Sequence, residues 1–217
     1  MTQTRLGVFG GTFDPIHFGH LRMAEEARER FELDTVLFVP NFVSPFKLDR
    51  VITSGPLRVE MIRWAVGDNP YFRVDSREIE RVGPSYTVET LRSIKAENPH
   101  AELFFLTGTD AVRELPQWKA PEELLLLTRF IAAARPGVQK SEVLAALPDT
   151  WENRILFLPM AELDISSTDL RNRIREGKSL RYLTPRSVEE FVWEHRLYLS
   201  NEDNTAIPIS GEIIKRA

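Results

Sequence analysis

The sequence predicts an α/β domain built on a doubly wound parallel sheet that is flanked by helices. Two observations predict it: short apolar runs recur along the chain, and stretches with helical spacing lie between them. Strands that alternate with helices form βαβ units, which build a mostly parallel sheet. Two runs are apolar throughout, as is typical of central strands covered on both faces. The predicted strands are residues 6–9, 36–39, 71–74, 103–106, 130–134 and 155–158.

Apolar side chains three or four residues apart predict the helices. The first three helices are marked by Leu21, Ala24, Ala27 and Phe31, by Leu57, Met61, Ile62 and Ala65, and by Val88, Leu91 and Ile94. From Ser167 onward the pattern is helical and stops at Gly177, and a last helix is predicted from Pro185 through His195. This order of elements is that of a Rossmann-like fold with a C-terminal helical segment.

Length and composition limit the classes of function. The 217 residues allow one domain, which we expect at 1–199, followed by a polar tail at 200–217. The net charge of −4 argues against nucleic acid as a partner. No apolar run reaches the roughly 18 residues of a membrane span, and an early strand leaves no room for a signal peptide. The chain has no cysteine, so we expect a cytoplasmic protein; monomer and homo-oligomer both remain open.

The turn after the first predicted strand is the most informative segment. Residues 10–20 read Gly-Gly-Thr-Phe-Asp-Pro-Ile-His-Phe-Gly-His and lead into a helix. Gly10 and Gly11 allow a tight turn close to a ligand, and free N–H groups at a helix start favour phosphate. His17 and His20 fall on one face and can donate hydrogen bonds to polyphosphate, which would raise their pKa values. The alternatives are an ordinary turn with surface histidines and, more weakly, a metal site.

Polar or aromatic residues also follow other strands, where ligands of such sheets bind. Lys47 can supply charge to phosphate or be a solvated lysine. Ser85 or Thr87 can simply cap the third helix. Trp118 can belong to the core, although its polar loop makes that placement less natural.

The last candidate segment, residues 165–171, reads Ile-Ser-Ser-Thr-Asp-Leu-Arg at a predicted helix start. Ser167 and Thr168 can merely cap that helix. Together with free N–H groups and Arg171 one turn later, they also form a phosphate cradle. Two phosphate-type helix starts in one parallel-sheet domain favour a shared polyphosphate ligand.

These motifs resemble a known family. Residues 10–20, with a His-x-Gly-His core, resemble the motif of the nucleotidylyltransferase superfamily, and the Phe-Asp-Pro segment is similar to bacterial nicotinate-nucleotide adenylyltransferases. Residues 166–171 resemble the family's Ser-Ser-Thr-x-x-Arg motif. The resemblance spans about residues 5 to 199. It departs at 44–47, where Ser-Pro-Phe-Lys stands in place of Pro-Pro-His-Lys, so Phe46 replaces the family's histidine.

The resemblance implies transfer of AMP from ATP to nicotinate mononucleotide, giving nicotinate adenine dinucleotide and pyrophosphate in NAD biosynthesis. It also implies Mg²⁺ that enters with ATP and needs few protein ligands. The implied catalytic residues are His17, His20, Lys47 and Arg171. The implied ATP-binding residues are Gly10, Gly11, Thr12, His17, His20, Gly108, Asp110, Arg135, Ser167, Thr168 and Arg171. The implied acceptor-binding residues are Asp14, Lys47, Ser85, Tyr86, Thr87 and Trp118, with Trp118 stacked on the pyridine ring.

Several alternatives stay open. The acceptor can be nicotinamide mononucleotide instead, because residue types do not separate acid from amide. A phosphopantetheine adenylyltransferase and a CTP-dependent enzyme are rivals that Trp118 and residues 85–87 argue against. An inactive nucleotide-binding regulator is less favoured, because both histidines, Lys47 and Arg171 are retained.

Overall fold

The computed structural model describes residues 3–42, 52–81, 83–134, 137–161 and 163–199. Within these ranges six parallel strands form one sheet in the order β3-β2-β1-β4-β5-β6. The strands are β1 Arg5–Gly11, β2 Thr35–Pro40, β3 Phe72–Val74, β4 Glu102–Gly108, β5 Thr128–Ala134 and β6 Ile155–Pro159. All six predicted strands and the doubly wound class are confirmed. The order reverses between β1 and β4, which opens a crevice at their carboxyl ends.

The same ranges contain long and short helices. They are α1 Phe18–Arg30, α2 Gly55–Val66, α3 Arg77–Glu80, α4 Thr87–Glu97, α5 Thr109–Arg113, α6 Pro121–Leu127, α7 Lys140–Leu144, α8 Ser167–Arg175 and α9 Arg186–Glu194. The predicted helices are confirmed as α1, α2, α4, α8 and α9. Gly177, with φ 66°, lies just beyond α8 as predicted. None of the described helices combines the length and apolar character needed to cross a membrane.

The sheet is buried on both faces. Ala24 of α1, Met61 of α2 and Val188 of α9 pack in one core cluster, on the face that includes Phe104 of β4. Leu91 of α4 packs with α6, α7 and the other sheet face in the second cluster. Residues 103–106 of β4 alternate between the two clusters, which explains why all four are apolar.

Candidate nucleotide-binding site

The first turn connects β1 to α1, and Phe13 sets its shape. Phe13 has a left-handed backbone with φ 50°, which is unfavourable for a residue that carries a side chain. Its buried ring packs edge-on against Phe9 and His20, with centroids 5.3 and 5.1 Å away. This packing offsets the backbone cost and supports the His20 ring.

The two glycines of the turn make room for protein rings. A Cβ on Gly11 would lie 2.8 Å from the Phe13 ring, and a Cβ on Gly10 would lie 3.1 Å from the Phe105 ring. In the structure, the neighbouring rings explain why these positions carry no side chain. The sequence had suggested close approach to a ligand instead. Their contact with ATP, like that of the neighbouring Thr12, stays a prediction.

His17 and His20 are stacked at the start of α1, on one face as predicted. Their ring centroids are 3.7 Å apart and their planes differ by 27°. The backbone N–H of His17 donates to Nδ1 of His20 over 3.3 Å. Because Nδ1 accepts this bond, the proton of the neutral His20 ring resides on Nε2. His20 therefore offers an Nε2–H donor with a defined direction.

The surroundings of both rings favour the neutral forms. Burial lowers the pKa of His17 to about 4. Burial, followed by repulsion from His17, lowers the pKa of His20 well below its usual 6.5. Both imidazoles are thus neutral at about pH 7, and only an anion bound beside them would favour the charged forms.

The start of α1 offers fewer free N–H groups than the sequence suggested. The Phe18 N–H donates to the Leu183 carbonyl over 3.0 Å, and the His20 N–H donates to the His17 carbonyl over 2.9 Å. The expectation of an open set of N–H groups is wrong for these two residues. Gly19 lies between them in the first turn, where N–H groups have no intrahelical acceptor. Within the described residues the Gly19 N–H and the His20 Nε2–H are therefore candidate donors to an anion at this end, and the contact of His17 and His20 with ATP stays a prediction.

The start of α8 lies directly against the first turn. Ser167 Oγ donates to the Pro15 carbonyl over 2.9 Å, and Arg171 Nη1 donates to the Asp14 carbonyl over 2.7 Å. Arg171 Nη2 also reaches Thr168 Oγ1 at 3.2 Å. The predicted convergence of the two distant helix starts is confirmed.

Ser166, the residue before those predicted to bind phosphate, caps α8. Its Oγ accepts the Asp169 N–H over 3.1 Å. The cap leaves the N–H groups of Ser167 and Thr168 at the helix tip, where the dipole favours anions. Thr184 adds a further tie, because its hydroxyl donates to the Ile16 carbonyl over 2.8 Å.

The buried carboxylate of Asp14 is engaged by protein groups. Its Oδ1 accepts the Tyr198 hydroxyl over 2.6 Å, and its Oδ2 accepts the Thr53 N–H over 3.2 Å. Burial, reinforced by the charge of Asp14, raises the pKa of Tyr198 above its usual value. Asp14 thus fastens the first turn to two other segments, and its contact with substrate stays a prediction.

Residues 85–87 lie beside the end of β2. The buried Ser85 Oγ accepts the Phe42 N–H over 2.9 Å, and Ser85 also hydrogen-bonds to the buried Glu78, whose pKa is raised by desolvation. Helix α4 begins at Thr87, and Tyr86 is the residue that precedes it. The alternative that Ser85 or Thr87 merely caps α4 is therefore wrong, because Tyr86 occupies the cap position and Ser85 binds the neighbouring loop.

Trp118 rests on the second core cluster and is half-buried. Its ring meets Phe105 and Phe130 edge-on, with centroids 6.0 and 6.2 Å away. The indole N–H is buried without a partner among the described residues. The next residue, Lys119, places Nζ 4.1 Å from the centre of the Tyr86 ring. The Trp118 loop and the start of α4 therefore lie side by side.

The structure describes two of the remaining predicted site residues, Gly108 and Asp110, but not the others. An added Cβ on Gly108, at the end of β4, would meet nothing within 4 Å, so the space there is open. Asp110 is exposed in the first turn of α5, with Oδ1 3.6 Å from Nη1 of Arg113. Lys47, Phe46, Arg135 and the tail at 200–217 lie outside the described residues.

Arg58, Glu78 and Tyr198 were missed by sequence reasoning. Arg58 stands three and four positions before Met61 and Ile62, on the buried face of α2. A charged residue inside an apolar stripe was the available signal. Glu78 and Tyr198 belong to no periodic pattern and gave no comparable signal.

The fold and the site together define a class of protein. Two imidazoles, an arginine and two helix starts meet where the strand order reverses. Doubly wound α/β domains bind nucleotides at this position, and these groups match a polyphosphate. The described residues therefore form a nucleotide-binding α/β domain.

Comparisons with known proteins narrow the class to a family. The cytidylyltransferase-like family model matches residues 8–173. A protein named probable nicotinate-nucleotide adenylyltransferase from Desulfitobacterium hafniense (strain DSM 10664 / DCB-2) is 45% identical, covering 89% of this chain and 95% of the relative. One of the same name from Bacillus pumilus (strain SAFR-032) is 42% identical, covering 90% and 99%.

A solved structure shares the fold. The Plasmodium falciparum nicotinic acid mononucleotide adenylyltransferase complexed with NaAD has a TM-score of 0.75 at 17% identity, covering 90% of this chain and 97% of that chain. Its low identity limits the comparison to architecture. With the family match and the bacterial relatives, the chain belongs to the cytidylyltransferase-like nucleotidyltransferases and, within them, to the nicotinate-nucleotide adenylyltransferases.

Proposed function

We propose that the chain transfers AMP from ATP to nicotinate mononucleotide, giving nicotinate adenine dinucleotide and pyrophosphate in NAD biosynthesis. The observation that carries the proposal is the contact between the first turn and α8, made by Arg171 on the Asp14 carbonyl. We infer from this contact that His17, His20 and Arg171 bind one triphosphate. Relatives that are 42% and 45% identical carry the name of this activity.

The reaction needs positioning and charge neutralisation more than a protein nucleophile. An oxygen of the acceptor's 5′-phosphate attacks the α-phosphorus in line, and the bond to the bridging oxygen of the β-phosphate breaks. Pyrophosphate leaves with the electron pair. The acceptor phosphate is already ionised, so no general base is required. His20 donates from Nε2, and Arg171 keeps N–H groups beyond the two bound to protein.

The acceptor would lie between the Trp118 loop and the start of α4. The half-buried indole is a platform for the pyridine ring, and N–H groups at the start of α4 would hold the nicotinate carboxylate. Lys119 above the Tyr86 ring keeps the two segments adjacent.

Mg²⁺ belongs to this proposal as part of the MgATP substrate. No group of three or more His, Asp and Glu side chains suited to a metal occurs in the parts of the chain that the structure describes. We propose polyphosphate and water as the main ligands of the ion. We also propose a cytoplasmic location, which the cysteine-free sequence supports.

Pyrophosphate release is the test of the proposed function. Parallel reactions contain the purified chain, MgATP and one acceptor: nicotinate mononucleotide, nicotinamide mononucleotide or phosphopantetheine. We expect the highest kcat/KM with nicotinate mononucleotide and a dinucleotide product by mass. Faster turnover with another acceptor would reassign the substrate, and no release with any acceptor would contradict adenylyl transfer.

A further inference from the structure

Arg58 of α2 is a buried charge with an unusual set of partners. Its side chain is 1% exposed. Nε donates to the Thr53 carbonyl, Nη1 to the Thr12 carbonyl and Nη2 to the Asn41 carbonyl, each over 2.8 Å. Nη2 also lies 3.3 Å from the Phe42 carbonyl. One guanidinium thus joins three segments that are separate in sequence.

Each of these segments contacts a residue of the candidate site. Thr12 belongs to the first turn itself. The Phe42 N–H donates to Ser85 beside α4, and the Thr53 N–H donates to the carboxylate of Asp14. Arg58 therefore links the first turn to the segment that adjoins the proposed acceptor side.

The charge of Arg58 is compensated without a direct ion pair in the described residues. Burial lowers the pKa of Arg58, while the charges of Asp14 and then Tyr198 partly offset that effect. The planar fork of arginine reaches several acceptors in fixed directions, whereas a lysine ammonium is a single point donor. The chain uses the geometry of Arg58 as much as its charge.

The triphosphate side of the first turn is held by other bonds. Ser167 binds the Pro15 carbonyl, and Thr184 binds the Ile16 carbonyl. These ties come from α8 and from the segment before α9, so they do not depend on Arg58. The first turn at Pro15 and Ile16, next to the stacked histidines, therefore keeps anchors that do not include Arg58.

We propose that Arg58 is a positioning residue for the acceptor side of the active site, holding the backbone at Thr12, Asn41 to Phe42, and Thr53 in one frame. The expected effect of replacing Arg58 on KM rests on the proposed function. Replacement of Arg58 displaces the backbone on which Ser85 and the acceptor depend. The stacked histidines keep their anchors and their grip on ATP.

The test compares Arg58→Lys and Arg58→Met with Arg63→Lys, a conservative change at an exposed position of the same helix. We expect R58K to raise KM for nicotinate mononucleotide about tenfold while KM for ATP changes less than about threefold, as for a misplaced positioning group. R58M should have a larger effect in the same direction. R63K should match the wild type.

A second readout does not require turnover. Hydrogen–deuterium exchange of both variants should rise at backbone amides around 12, 41–42 and 53, but not around 18–21 or 168–171. Equal rises in both KM values, or faster exchange throughout the chain, would overturn the proposal, as would failure of both variants to fold. If the wild type lacks adenylyl transfer, the proposed function fails while the exchange pattern still decides the role of Arg58.

Discussion

Arg171 Nη1 donates to the carbonyl oxygen of Asp14 over 2.7 Å, although the two residues are 157 positions apart. The bond fixes the start of α8 against the first turn. It also orients the guanidinium, whose second terminal nitrogen binds Thr168. The proposed function assigns the remaining N–H groups to phosphate, so that one side chain would both join the two segments and bind the ligand.

Arg171→Lys tests this double role. A lysine ammonium cannot bind the Asp14 carbonyl, the Thr168 hydroxyl and a phosphate in the same directions. We expect kcat to fall by about 10²-fold, the effect of losing a preorganised charged donor. Arg175→Lys is the control, because Arg175 is exposed on the same helix and hydrogen-bonds to its neighbour Asn172 within the described residues. Equal kcat values for R171K and R175K would show that Arg171 has no role in the reaction.

We expect His17 to make the stability of the chain depend on pH. The folded-state pKa is about 4 against a usual 6.5. Between these values the unfolded chain binds a proton at His17 that the folded chain does not, so the free energy of unfolding decreases as pH falls. Once the pH is below both pKa values, the total decrease in the free energy of unfolding due to His17 is on the order of 3 kcal/mol.

Urea unfolding at about pH 7 and pH 4.5 measures this effect. His17→Asn should reduce the difference between the two pH values without abolishing it, because burial also lowers the pKa of His20. His100→Asn serves as the control, because His100 is exposed. A wild-type pH dependence in H17N would show that the buried imidazole is not responsible.

Trp118→Ala tests the acceptor platform. Removal of the indole deletes the surface on which the pyridine ring would stack. We expect KM for nicotinate mononucleotide to rise about tenfold with KM for ATP unchanged. Trp64→Ala is the matched control, since Trp64 is 61% exposed on α2. A rise in KM for ATP alone would mean that Trp118 serves the other substrate.

Tyr198→Phe tests the link from the C-terminal segment to the first turn. The substitution removes the hydroxyl that donates to Asp14 Oδ1 over 2.6 Å. The free energy of unfolding should fall by about 1–3 kcal/mol, because a buried carboxylate loses a donor. Tyr182→Phe, at a side chain that is 89% exposed, should leave it unchanged. Equal stability of the two variants would show that the hydrogen bond from Tyr198 to Asp14 does not stabilise the fold.

Periodicity predicted the long elements and their order because each carries several repeats of an apolar pattern. Helices α3, α5, α6 and α7 have four to seven residues each. Two turns or fewer do not establish a helical repeat. The sequence did not predict these helices because they are too short to show a repeat.

The convergence of the first turn with the start of α8 was predictable because parallel strands present their carboxyl ends at one edge of the sheet. The left-handed backbone of Phe13 was not, since it depends on rings brought in by other strands. The partners of Arg58 were not predictable either, because they are carbonyl groups up to 46 residues away and carry no side-chain signal.

The claim that both helix starts hold the same triphosphate is tested most directly by titration calorimetry with α,β-methylene ATP, a non-reacting analogue, and with adenosine. We expect the His20→Ala, Arg171→Lys double variant to bind the analogue about 100-fold more weakly than the wild type, with unchanged affinity for adenosine. Unchanged affinity for the analogue, or an equal loss for adenosine, would contradict it.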